Sequence, residues 1–389
     1  MGMASTASNR FLLALVPLAL AILAVAEAAP PASPPSPAFR RVYAFGDSFT
    51  DTGNTRSTTG PYSFGYVSSP PYGATFFHRS TNRYSDGRLV VDFLAEELKL
   101  PSYLPPYLSV SASSAAGDRQ QDEVGVNFAV AGATAIEHDF FARNNLSFDI
   151  TPQSIMTQLA WFDDHLRRDK KVDVADALFW VGEIGANDYA YTVVARDTIP
   201  PKLVRNMAVQ RVTTFVQGLL ERGAKYVVVQ GLPLTGCLPL AMTLARADDR
   251  DNVSCVASVN RQSYAHNRRL LAGLHELRRR HPAAVVAYAD YYAAHLAVMR
   301  SPAAHGFTEP FRTCCGSGGG AYNFDLFATC GSPEVNTSCA QPARYINWDG
   351  VHMTEAMYKV VAGMFFQGGD AYCRPAFSDL LARKAQGKP

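Results

Sequence analysis

Five short apolar runs, each closing on a glycine or an aspartate, constrain the fold of this chain more than any other feature. They are Arg41–Phe45 before Gly46-Asp47, Gly125–Val130 before Ala131-Gly132, Ala177–Val181 before Gly182, Tyr226–Val229 before Gly231, and Ala284–Tyr288 before Asp290. Each is apolar throughout rather than alternating, which is the pattern of strands covered on both faces. Helical segments are expected between them: Leu89–Leu98 before Pro101, Val209–Arg222 before Gly223, Val259–Arg280 before Pro282, and Thr354–Phe366 before Gly368-Gly369. The glycines and prolines there act as helix stops. Buried strands alternating with helices predict an α/β protein, a three-layer α/β/α sandwich around a five-stranded parallel sheet. In such sheets ligands bind outside the carboxyl ends of the strands, so the turns that follow these runs are where chemistry is expected.

The N-terminus reads differently. Arg10 precedes an apolar run from Phe11 to Ala26, and small residues follow in an A-x-A pattern at Ala24-Val25-Ala26 and Ala26-Glu27-Ala28. This is the layout of a secretory signal peptide, expected over residues 1–28. The run is short for a membrane span and carries Pro17. Residues 29–39, rich in proline, form an extended spacer, and a single domain is expected over 40–389. Cleavage predicts a secreted, cell-wall protein with no stable membrane span; an uncleaved anchor would retain it in the Golgi.

Other features agree with an oxidising compartment. There are seven cysteines and no C-x-x-C pair. Cys237 and Cys255 are expected to pair by proximity, and the odd count leaves one thiol free or joined to another chain. N-glycosylation sequons begin at Asn145, Asn252 and Asn336. The net charge of +2 argues against a nucleic-acid partner. No H-E-x-x-H or comparable ligand spacing occurs, so no metal and no cofactor is expected. The Arg278–Arg280 cluster reads as a solvated helix end, and the Gly316–Gly320 stretch as a loop bounded by disulfides.

The candidate chemistry lies in four blocks: Gly46-Asp47-Ser48 through Asn54, Asn127 through Thr134, Gly185-Ala186-Asn187-Asp188, and Trp348-Asp349-Gly350-Val351-His352. Ser48 follows a strand and opens a turn, where its own N–H can face a developing anion. A serine needs a base to take its proton. Of nine histidines only His352 has a carboxylate three residues earlier in a glycine-containing turn before a helix. That spacing lets Asp349 bond Nδ1–H and leaves Nε2 free to accept from Ser48. Asn187 brings side-chain donors and Gly132 an unshielded backbone N–H, so that Ser48, Gly132 and Asn187 together can form an oxyanion hole.

These four blocks, in this order, resemble those of the SGNH (GDSL-type) ester hydrolases, particularly the plant GDSL esterase/lipase family. The resemblance runs from about Val42 to Cys373 and includes Gly231–Cys237 and Cys314-Cys315-Gly316. No G-x-S-x-G surrounds Ser48, because Thr50 stands at the last glycine position, which argues against an α/β-hydrolase lipase. The resemblance implies a flavodoxin-like sheet and a Ser48, His352, Asp349 triad with Ser48, Gly132 and Asn187 as the hole. It implies ester substrates on polysaccharide, phenolic or lipid alcohols. Acetyl esters of a wall polysaccharide such as xylan are the substrate expected first. An acyltransferase using the same acyl-enzyme, a lipid or phenolic-ester hydrolase, and a catalytically silent glycan-binding protein are the alternatives. The chain departs from the family pattern at Phe49, Ala131, Val351 and Met353. The aromatic segment 61–78, with Tyr62, Phe64, Tyr66, Tyr72, Phe76 and Phe77, is expected either to pack as a loop or to line the substrate site.

Overall fold

The computed structural model describes residues 38–56, 64–113, 123–146, 151–193 and 199–387. The expected leader, and all but the last two residues of the expected spacer, lie outside these. In chain order the elements are β1 (Val42–Phe45), α1 (Val90–Glu97), α2 (Tyr107–Ser113), β2 (Gly125–Asn127), α3 (His138–Arg143), α4 (Ile155–Arg168), β3 (Leu178–Val181), α5 (Ala186–Val193), α6 (Pro201–Glu221) and β4 (Tyr226–Gln230). There follow α7 (Pro239–Leu244), α8 (Ala257–Arg280), β5 (Val285–Ala289), α9 (Tyr291–Arg300), β6 (Glu309–Thr313), β7 (Tyr345–Asn347), α10 (Glu355–Gln367), β8 (Cys373–Arg374) and α11 (Phe377–Ala385).

The main sheet has the order β2-β1-β3-β4-β5-β8. Its first five strands are parallel. It has six strands rather than the expected five, because the two-residue β8 adds antiparallel to β5. A two-residue edge strand carries no periodicity, so the sequence pattern does not reveal it. β6 and β7 pair separately. From β1 the chain steps outward to β2, then crosses back to place β3 on the other side of β1. The carboxyl ends of β1 and β3 therefore flank a topological switch point, where the two following loops diverge and leave a crevice.

The strands are buried on both faces, and their side chains alternate between two cores. Val42, Ala44, Leu178, Trp180 and Val228 join the core formed with α1, α9 and α10. Tyr43, Phe45, Phe179, Val181 and Val229 join the core formed with α4, α6 and α8. A third, smaller cluster gathers Tyr72, Tyr84, Trp348 and three cysteines.

Several helices are longer or more numerous than the stop signals alone indicated. α6 begins at Pro201, with the proline at its start, rather than at Val209. Proline is pre-organised for a helix's first position, so it opens this helix rather than preceding it. α4 is a full helix capped by Ser154. Its buried stripe of Ile155, Gln158, Leu159, Phe162 and His165 includes two polar residues, which conceal the apolar period. Disulfides join Cys237 to Cys255, Cys314 to Cys339 and Cys315 to Cys330. Cys373 is a buried free thiol.

Candidate active site

Ser48 lies in the turn that leaves β1. That strand ends on Gly46, whose φ of +141° is open to glycine and strained for other residues. Gln158 of α4 grips the Gly46 peptide from both sides, accepting its N–H at 2.9 Å and donating to its carbonyl at 2.7 Å. Asp51 then closes the loop. It accepts from the N–H groups of Gly53, Asn54, Thr55 and Ala131 at 2.7–3.0 Å. The second half of the Gly46–Asn54 block is thus scaffold, tying the loop after β1 to the loop after β2. Ser48 itself is 6% exposed.

Asp349 and His352, the expected orienter and base, lie in the turn between β7 and α10. Asp349 and His352 are 1% and 2% exposed. His352 Nδ1 lies 2.7 Å from Asp349 Oδ2, and the His352 backbone N–H donates to Oδ1 at 2.8 Å. The Val351 N–H reaches the same Oδ1 at 3.1 Å. The Tyr72 hydroxyl donates to Oδ2 at 2.7 Å. Burial by itself would raise the Asp349 carboxyl. The facing His352 charge and these donors outweigh it and hold Asp349 below the ordinary carboxylate range.

Three rings wall His352: Tyr84 at 4.6 Å, Phe49 at 5.5 Å and Phe64 at 5.6 Å between centroids. Its Nε2 is buried without a hydrogen-bond partner among the described residues. Phe49 packs on the ring, and the Asp47 carboxyl feels its charge. Apo geometry of this kind, with the base oriented and its acceptor nitrogen vacant, is compatible with proton transfer from a neighbouring hydroxyl.

Gly132 lies in the loop after β2 with φ +77°, a conformation that few other residues tolerate. Its carbonyl accepts from the Tyr191 hydroxyl at 3.0 Å. Asn187 stands in the first turn of α5. Its Nδ2 donates to Asp47 Oδ2 and to the Ala133 carbonyl, each at 3.0 Å. Asn187 therefore bridges the loops after β1 and β2, and both amide hydrogens are engaged. The adjoining Asp188 accepts from the N–H groups of Ala135 and Ile136 at 2.8 and 2.9 Å. It serves as the clamp that sets α5 against the loop after β2.

The structure also brings in residues that motif reading passed over. Tyr72 and Tyr84 sit far from His352 in sequence, with no local signal of their role. Asp47 lay in plain view beside Ser48. Glu183, an acid inside the apolar Trp180–Ile184 stretch, was a visible anomaly. Within the aromatic segment, Phe64 packs on His352. Tyr72 is buried beneath Asp349, whereas Tyr66 and Phe76 are 40% and 38% exposed; Tyr62 lies outside the described residues. His266 and His295 are buried and pushed down to about 3, chiefly by loss of water, which makes both poor bases. The sequon asparagines Asn145, Asn252 and Asn336 are exposed. Among the described residues, no group of three or more His, Cys, Asp or Glu is gathered to hold a metal ion. Nor is any helix there long and apolar enough to cross a membrane.

The family model described as GDSL-like lipase/acylhydrolase matches residues 42–364. The chain is 55% identical over 350 residues to the Arabidopsis thaliana GDSL esterase/lipase At3g48460, covering 89% of this chain and 90% of that one. It is 37% identical over 363 residues to the GDSL esterase/lipase At1g28600 of the same plant, covering 90% and 88%. A third Arabidopsis relative, GDSL esterase/lipase At5g45910, is 37% identical over 360 residues, covering 86% and 92%.

Proposed function

The chain belongs to the GDSL-like lipase/acylhydrolase family and is a carboxylic ester hydrolase, and on that premise we propose a two-step acyl transfer centred on Ser48. Ser48 Oγ attacks the ester carbonyl carbon while His352 Nε2 takes its proton. The oxyanion is held by the N–H groups of Ser48 and Gly132 and by Asn187 Nδ2. As the tetrahedral intermediate collapses, the ester C–O bond breaks and His352 gives the proton to the leaving alcohol. Water, deprotonated by His352, then attacks the acyl carbon; the bond from that carbon to Ser48 Oγ breaks, His352 returns the proton to Oγ, and the acid leaves. Asp349 keeps Nδ1 protonated and stabilises the imidazolium throughout.

One observation carries this reading: His352 Nδ1 is held at 2.7 Å by a buried aspartate, Nε2 has no partner among the described residues, and Phe49, next to Ser48, packs on the ring. For Asn187 to serve as a donor, one of its amide hydrogens must turn from Ala133 or Asp47 to the oxyanion, or be shared with it. An amide that strengthens its bond only as the oxyanion forms contributes to the transition state rather than to ground-state binding.

For the substrate we propose acetyl esters on a wall polysaccharide such as xylan. The three rings that crowd His352 at 4.6–5.6 Å favour a small acyl group. The exposed ring of Tyr66, in the same segment as Tyr72, supplies a face for a sugar to stack on. Secretion after loss of residues 1–28 is supported by the three disulfides and the exposed sequon asparagines. The test is acid release by the secreted protein and its Ser48→Ala variant from p-nitrophenyl acetate, a long-chain analogue, acetylated xylan and a phenolic choline ester. Ser48-dependent acetate release, strongest on the polymer, is expected. Preference for the long chain would overturn the acetyl reading, and a new ester formed with an added alcohol would replace hydrolysis by transfer.

A further inference from the structure

Glu183 follows β3 in the Gly182-Glu183-Ile184-Gly185 turn and is completely buried, as is nearly all of Asp47. Neither Glu183 carboxyl oxygen meets a donor with hydrogen-bond geometry among the described residues. The groups acting on it are the Asp47 carboxyl, which is its side-chain partner, the Asp188 carboxyl and the Ala186 N–H. Two carboxyls in contact and out of water cannot both ionise, so one proton must lie between them. The donors decide where it rests. Asp47 receives the Phe49 N–H on Oδ1 at 3.1 Å and Asn187 Nδ2 on Oδ2 at 3.0 Å. These favour its anion, and Glu183 has no comparable pair.

We propose that Glu183 is a positioning residue: a neutral carboxylic acid that donates its proton to Asp47 and, through Asp47, fixes the amide of Asn187. It rests on the reading of Asn187 as an oxyanion donor. The chain of contacts runs from Glu183 O–H to Asp47 carboxylate to Asn187 Nδ2. Asp47 Oδ2 and the Ala133 carbonyl are both acceptors, so the Asn187 amide has one permitted orientation, with its nitrogen toward these two groups. Sharing the proton also spreads the single negative charge of the pair, which reduces its repulsion of the oxyanion.

The surroundings of the pair are acidic or neutral apart from His352. Asp47 faces Glu183, Asp51 and His352. The hydroxyls of Tyr291 on α9 and Tyr358 on α10 lie within their electrostatic reach. Burial raises Asp47 to about 6, against the pull of Glu183, the Phe49 N–H and His352. Loss of the Glu183 donor therefore raises Asp47 further.

The experiment is the pH profile of kcat and KM on p-nitrophenyl acetate for wild type, Glu183→Gln, Glu183→Leu and Ser48→Ala. Glutamine keeps an N–H donor toward Asp47 and is expected to retain most of the wild-type kcat with its acid limb unmoved. Leucine is expected to lower kcat by about 10–100-fold with KM unchanged, and to move the acid limb to higher pH. A purely structural role would lower the amount of folded enzyme without moving that limb. An unmoved limb in Glu183→Leu, or equal losses in the two variants, would overturn the proposal. Activity that persists in Ser48→Ala would instead undo the nucleophile assignment. If Glu183→Leu does not fold, infrared difference spectra of wild type against Glu183→Gln decide. A protonated-carboxyl band at neutral pH, lost in the variant, supports the proposal, and its absence from wild type overturns it.

Discussion

The hydroxyl of Tyr72 donates to Oδ2 of Asp349 at 2.7 Å, joining residues 277 positions apart at the same oxygen that holds His352 Nδ1. Both residues are almost wholly buried. Tyr72→Phe keeps the ring and removes the donor to a charged group, a loss of about 1.5–3 kcal/mol in such settings. Asp349 should become less acidic and hold His352 less firmly, so kcat/KM is expected to fall about 10-fold or more. Steady-state kinetics on p-nitrophenyl acetate check this, and unchanged kcat/KM would mean that the two His352 N–H groups suffice.

Ser48→Ala and His352→Ala are each expected to lower kcat by about 10⁴ or more, and the double variant to be little worse than either. Residues acting as one unit are not additive. A double variant far below both singles would show that Ser48 and His352 act in separate steps.

Asn187→Ala should lower kcat by about 10²–10³. Asn187→Asp is expected to be worse, because it sets a carboxylate against two acceptors, Asp47 Oδ2 and the Ala133 carbonyl, now 3.0 Å from Nδ2. Kinetics together with thermal melts separate the two effects. An aspartate variant as stable and active as the alanine one would contradict this geometry.

The buried acids make stability fall as pH rises. Burial raises Asp188 to about 7 and Asp47 to about 6, well above the unfolded value near 4. Between these limits the folded state binds more protons than the unfolded one, so the slope of unfolding free energy with pH is negative. Asp349 has the opposite sign: its contribution is present above the unfolded value and is lost only as pH falls through its depressed one. Urea unfolding from about pH 4 to about pH 7 should therefore show declining stability, and a flatter decline in Asp47→Asn. A variant slope equal to that of wild type would remove Asp47 from the account.

The Cys315–Cys330 bridge, 15 residues apart in sequence, holds a loop whose Cys315 N–H donates to the Trp348 carbonyl at 2.8 Å. Trp348 directly precedes Asp349. Replacing both cysteines by serine should cost about 3 kcal/mol of stability from loop entropy. It should also lower kcat, since the turn carrying Asp349 loses a brace. Denaturation and kinetics on the same protein test both parts, and full activity in the destabilised variant would show the turn to be braced from elsewhere.

Much of this is written locally. The apolar runs became parallel strands because a strand without polar alternation can only be covered on both faces. Asp349 and His352 meet because three residues of turn bring them together, and Cys237 pairs with Cys255 across a short loop. Gln158 and His165, polar residues on the buried stripe of α4, hid that helix from its own periodicity. β8 is too short to show any.

The sequence by itself determined the strand-and-helix alternation, the four chemical blocks and the turn that orients His352. Each depends on spacing within a few residues, which backbone geometry converts directly into contact. Only the tertiary structure decided that Tyr72 would brace Asp349, that Tyr84 and Phe64 would wall His352, and that Glu183 would meet Asp47. Those contacts form where loops from β1, β3 and β7 converge at the sheet's carboxyl edge. Which side chains share that edge depends on strand order and crossover, and no local pattern encodes either.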